Sequence, residues 1–191
     1  MVKVQLSTHS SCISNAVLNL FFSYTAIMLN ILAIHAMRKS WALQKILKTL
    51  MLNLAVSDLC VGLCAQPINV VHLLVICRTE EPTALKIVVS FLSCAFWYAS
   101  FLSIMALGAE RFVAIHLHLR YQELVTHKRV VVLATIVWAV SALLSLITSL
   151  WPSIGKKIVA VFFGFCFICS FIFYRKIYST VRRHTNQIQA L

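Results

Sequence analysis

The chain has 191 residues, of which 61% are hydrophobic and only 12% charged, whereas a soluble domain carries about a quarter charged residues. No water-facing surface can be assembled from this inventory, so the lipid bilayer is the solvent and the first partner. The net charge of +12 does not call for nucleic acid, because basic residues gathered at cytoplasmic helix ends are accounted for by anionic headgroups and by any acidic partner that docks there.

Five stretches are long enough to cross, since about 20 mostly apolar residues span a bilayer core: 13–37, 49–76, 85–115, 130–151 and 158–178. The first is too long for a signal peptide and no small-residue cleavage site follows it, so it reads as a retained anchor after an N-terminal segment, 1–12. The connections are short, no internal repeat appears, and closed barrels would show short alternating segments instead. The expected fold is an all-α membrane protein, a single bundle of five transmembrane helices over 13–178 with a basic tail at 179–191.

Placing the first loop, the third loop and the tail on one side collects 12 of the 17 Lys and Arg residues there. The positive-inside rule then predicts an extracellular N-terminus and a cytoplasmic C-terminus. Five of the cysteines fall inside spans, where a thiol behaves as a small apolar group. Cys12 and Cys77 lie near the oxidising outer face, and whether they pair stays open, because sequence does not show that their Cβ atoms approach.

Ionisable and amide groups inside spans are the functional candidates. Glu110-Arg111-Phe112 places two opposite charges at the inner end of the third span, where they are costly unless used. Asp58 sits about 9 residues, or about 14 Å, into the second span. An ionised Asp at a helix centre costs about 2.5–3.5 kcal/mol on insertion scales, so it should be paired, protonated or holding a cation. Ser93, Ser100 and Arg111 share one stripe of the third span, which makes Ser100 a candidate oxygen ligand beside Asp58 and puts Ser93 nearer the outer mouth. Ser93 is equally well read as glue between helices. Asn30, Asn53 and Trp138 are expected to be packing determinants that bond to other helices. Pro67 can kink the second span, and Pro152 ends the fourth. No nucleophile with its base and orienting group, and no metal-ligand spacing, is visible, which speaks against an enzyme.

Asn30 in LNILAI, the string Leu52-Asn53-Leu54-Ala55-Val56-Ser57-Asp58, Glu110-Arg111-Phe112, Trp138 in IVWAVSALLSL, and Tyr174 with Ile177 and Arg182-Arg183 together resemble the first five helices of a rhodopsin-like (class A) G-protein-coupled receptor. The resemblance covers nearly the whole chain. It implies signalling from an extracellular ligand to a heterotrimeric G protein at the plasma membrane, and a partial seven-helix bundle. It implies an allosteric sodium ion at Asp58 and Ser100, with no other cofactor. Arg111 resembles the arginine held at rest by its neighbouring acid, here Glu110, and Tyr174 the tyrosine that holds it in the active state. Asn53 and Trp138 match the pair that ties the second helix to the fourth.

Departures from the pattern narrow the reading. Lys86 stands where the family's outer third-helix cysteine falls, the second outer loop at 152–157 has no cysteine, and Cys166 replaces the fifth-helix proline. These features look like the melanocortin, lysophospholipid and cannabinoid branch, with Tyr174-Arg175-Lys176-Ile177 similar to adenosine receptors. Ser93 stands where amine receptors carry an aspartate, so the resemblance implies a small extracellular ligand that is not a biogenic amine. Ser93, Phe96 and Trp97 are its pocket candidates. The chain stops at Leu191 without the family's sixth and seventh helices, and the expectation is an incomplete or truncated receptor. Two alternatives keep the same residues: a non-signalling truncated receptor that dimerises with full-length receptors and modulates them, and a small ion transporter or channel built on Asp58.

Overall fold

The computed structural model describes residues 2–40, 44–76, 83–116, 121 and 125–189, with first-helix side chains described from Ser11 onward. Five helices are long and apolar enough to cross a membrane: Ser11–Lys39, Lys45–Val75, Thr83–His116, His127–Leu150 and Pro152–Arg183. The described residues contain no strand, as expected where lipid offers no partner to an open backbone. The protein is an all-α membrane protein.

The third span is the axis of the bundle and packs on the second, fourth and fifth. Its buried positions Tyr98, Ala99, Ser100, Ser103 and Glu110 are mostly small or polar. Small side chains let helix backbones approach closely in lipid, where no hydrophobic force pulls helices together. The same logic governs its contact with the fourth span. There Ser145 Oγ donates to the Phe91 carbonyl at 2.5 Å and Ser149 Oγ to Ser90 Oγ at 3.2 Å, while Ser141 is fully buried. The first and fifth spans bury the least and present Phe21, Phe22, Leu29, Phe165, Phe167 and Ile168 outward.

The second span is not a uniform helix. Residues Val61–Ala65 form a π-helical turn, and the Gln66 N–H reaches back five residues to the Val61 carbonyl. Pro67 supplies the cause, since its ring crowds the carbonyl four residues earlier and it brings no N–H to the ladder. The widened turn lies against the first span: Ser23 Oγ donates to the Gly62 carbonyl at 2.7 Å. A Cβ at Gly62 would fall 2.9 Å from Ile27 Cγ1, so glycine is needed for this approach.

The fourth helix starts after a Thr126 cap, whose hydroxyl accepts the Arg129 N–H at 3.5 Å. It ends at Leu150, and Trp151 alone separates it from a fifth helix that begins at Pro152. The apolar stretch expected at 158–178 lies inside this helix, and Pro152, expected to end the fourth span, also opens the fifth. Proline also fits the first position of a helix, where its missing N–H costs nothing. The tight joint brings Gly155 so near the fourth helix that an added Cβ would lie 2.8 Å from the Thr148 carbonyl oxygen. Cys12 is disulfide-bonded, and its candidate partner Cys77 lies outside the described residues. Cys60, Cys64, Cys94, Cys166 and Cys169 carry free thiols.

Candidate functional site

Polar groups gather at three depths along the third span. At the end of the bundle that carries Lys45, Arg111, Lys128 and Arg129, Glu110 is buried, its side chain 4% exposed. Its Oε1 accepts the Tyr121 hydroxyl at 2.5 Å, and its Oε2 lies 3.6 Å from Arg111 Nε. Adjacent helical residues point about 100° apart, so Arg111 reaches back only with Nε, and 47% of its side chain stays exposed. The arrangement holds a carboxylate in place while leaving most of the guanidinium free to turn elsewhere.

Burial first, then the hydrogen bond to Glu110 and its negative charge, push the Tyr121 phenol from 10.0 up to about 12, with Arg111 pulling the other way. A raised phenol pKa means that the contribution is fully present below the ordinary value and is lost only as pH climbs through about 12. The Tyr121–Glu110 bond is therefore intact throughout the physiological range.

Phe112 faces the fifth span, its ring 5.7 Å from that of Phe173 and 4.1 Å from His116, with Lys176 Nζ 5.4 Å from its centroid. It thus joins the third and fifth helices beside Arg111. Tyr174 lies elsewhere. It is 64% exposed on a groove with Phe171, Arg175 and Tyr178, and no hydrogen bond links it to Arg111.

At mid-depth a relay crosses three helices. Trp138 Nε1 donates to Asn53 Oδ1 at 3.0 Å, Asn53 Nδ2 donates to Ser103 Oγ at 2.8 Å, and Ser103 Oγ donates to the Ala99 carbonyl at 2.7 Å. An amide carries both an acceptor and donors, so one Asn can hold two neighbours at once. Phe96 stands edge-on to Trp138, with centroids 6.3 Å apart and planes at 80°. That places Phe96 in this packing layer rather than beside Ser93. Asn30 stays out of the relay, since its Nδ2 donates to the Ala26 carbonyl of its own helix at 2.8 Å. One and a half turns above Asn53, the Asp58 carboxyl has the Ser100 hydroxyl as its side-chain neighbour. Ser100 Oγ is buried and completes no hydrogen bond.

Toward the opposite end, Ser93 Oγ donates to Asn69 Oδ1 at 3.2 Å. This pair borders a 290 Å³ cavity shared by the second, third and fifth spans and walled by Trp97, Tyr98, Val159 and Phe163. Trp97 meets Phe163 edge-on at 6.4 Å and is 49% exposed. Ser93 and Trp97 are brought together here.

Sequence reasoning missed Tyr121, Ser103 and Asn69. Ser103 was within reach, being three residues beyond Ser100 and seven before Glu110 on the same face. Tyr121 stands past the end of the apolar run and gave no signal.

Comparison with known proteins gives the family. Residues 29–157 match the family described as 7 transmembrane receptor (rhodopsin family). The chain is 30% identical over 147 residues to adenosine receptor A2b from Gallus gallus, covering 73% of this chain and 39% of that receptor. It is 26% identical over 129 residues to adenosine receptor A3 from Ovis aries, covering 63% of this chain and 37% of the relative. The chain thus spans well under half the length of the curated relatives it matches. With its apolar helices and this match over most of its length, the chain is a multi-pass membrane protein that belongs to the rhodopsin family of seven-transmembrane receptors, a family of receptors and not of enzymes.

Proposed function

We propose that this chain forms part of a plasma-membrane receptor that passes a small extracellular ligand's signal to a heterotrimeric G protein, with its N-terminus outside and its Arg111 end in the cytoplasm. The observation that carries this reading is Glu110 clamped between Tyr121 and a half-exposed Arg111. Such a group has two arrangements available, and a ligand at one end and a transducer at the other can each bias the choice. The concentration of Lys and Arg at the Arg111 end supports the orientation. The Asn53 relay supplies the rigid frame against which the switch moves.

The test is a chimera in which residues 1–191 are continued by the remaining spans of the Gallus gallus adenosine receptor A2b. Reconstituted in lipid nanodiscs with purified G protein, it should accelerate nucleotide exchange on the Gα subunit. A folded chimera that leaves exchange at the rate of empty discs would overturn the reading.

Asp58 and Ser100 fit a sodium ion. A buried hydroxyl oxygen beside a carboxyl is the donor set a hard cation takes, and a bound cation would offset the cost of the Asp58 charge at mid-membrane. When bound, the ion supplies charge compensation that favours one arrangement of the bundle. Replacing sodium with N-methylglucamine should therefore change ligand-free exchange by the chimera, and Asp58→Asn should abolish that sensitivity. Sodium dependence that persists in the variant would remove the ion from this pair.

A further inference from the structure

The cavity beside Ser93 has a chemistry that the receptor reading alone does not specify. Its walls are the rings of Trp97, Tyr98 and Phe163 with Val159 and Cys94; of its polar members, Ser93 and Asn69 bond to each other, and the Tyr98 hydroxyl is buried without a partner. At 290 Å³ it sits at the small end of ligand pockets, which run from about 300 Å³ upward. An apolar segment fits this space better than a polar ring system, since a polar group placed inside would lose water and gain few partners.

What stands above the cavity is positive. Lys86 lies seven residues before Ser93 on the third span, and Lys156 lies seven before Phe163 on the fifth. Seven residues make two helical turns and about 10 Å, so each lysine stands on the stripe of a cavity residue, nearer the extracellular end. Both are exposed, and their flexible stems can reach toward the mouth while the ammonium groups stay in water. Among the described residues, that end of the bundle carries no acidic side chain. Glu80 and Glu81 lie outside the described residues.

A mostly apolar slot with two ammonium groups on the stripes above it selects for one molecular shape. We infer that the extracellular ligand is a single-chain anionic amphiphile, whose carboxylate or phosphate head meets Lys86 and Lys156 while its acyl chain enters the slot walled by Trp97 and Phe163. This rests on the receptor reading of that end as the ligand side. Both head chemistries satisfy the same pair of lysines.

The chain in phosphatidylcholine nanodiscs, measured against empty discs, should bind tritiated oleate or oleoyl lysophosphatidate saturably and oleyl alcohol at least roughly tenfold more weakly. The response to the two anions reads which head is preferred. Lys86→Gln with Lys156→Gln should weaken the anions by about tenfold and leave the alcohol unchanged. Lys86→Glu with Lys156→Glu should transfer the preference to oleylamine. Trp97→Ala should weaken all of these probes together, because it removes a cavity wall. Oleyl alcohol binding as tightly as oleate, or oleate binding unmoved by the double glutamine change, would overturn the inference. Failure here, with nucleotide exchange by the chimera intact, strikes only the ligand class. Intact oleate binding without exchange strikes only the receptor reading.

Discussion

Glu110→Gln should raise ligand-free nucleotide exchange by the chimera about tenfold. The glutamine keeps the shape of the side chain and can still accept the Tyr121 hydroxyl, but it has no charge to hold Arg111 Nε at 3.6 Å. A hydrogen bond to a charged group contributes about 1.5–3 kcal/mol. The Arg111 pair must be discounted toward about 1 kcal/mol because its guanidinium is half exposed. Losing about 1–2 kcal/mol from the resting arrangement alone shifts its ratio to the active one by a factor of roughly 5–30. Tyr121→Phe should act in the same direction and more weakly, because the carboxylate keeps its charge and loses only one donor. Exchange measured at matched receptor content checks both. A Glu110→Gln chimera with unchanged ligand-free exchange would mean that the clamp does not set the resting state.

The largest effect on stability is expected from Asn53→Ala. It removes the acceptor of Trp138 and the donor to Ser103 in one step. Interhelical hydrogen bonds in membranes average about 0.6 kcal/mol and reach about 1.7, and the indole N–H stranded between helices adds about 1–3 kcal/mol. A total of about 2–3 kcal/mol follows, which in a chain of this size lowers Tm by roughly 6 °C. Trp138→Phe should cost about half as much. The double variant should fall short of the sum, since both changes break the same bond. With Cys60, Cys64, Cys94 and Cys169 replaced by Ala, reaction of a thiol dye with Cys166, buried in the native bundle, reports unfolding during heating. Strict additivity would show that the Asn53–Trp138 bond holds nothing.

What the sequence made legible is what is chemically out of place. Asp58, Asn53, Glu110 and Arg111 stand out because lipid tolerates such groups only for a reason, and their depth follows from counting residues at a fixed rise. The five spans were visible on the same grounds. Tyr121 and Ser103 are ordinary residues whose importance comes from what they touch, and touching is set by helix rotation and loop path. Asn30 looked like Asn53 in sequence, yet one bonds within its helix and the other across two. Phe96 and Trp97 are neighbours that point to different layers. Pro152 carried two meanings, terminator and first residue, and only the packing of Gly155 on Thr148 selects between them.

The π-helical turn at Val61–Ala65 divides the second span into two segments of different phase with no loop between them. Asn53 and Asp58 are indexed on one segment and Asn69 on the other, so the extra residue acts as a vernier between the half that carries the Asn53 relay and the half that borders the Ser93 cavity. The angular setting of the upper segment fixes what meets Ser93, and that of the lower segment fixes what meets Trp138 and Ser103. Substitutions in the upper segment can therefore re-aim the residues beside Ser93 without disturbing the Asn53 relay.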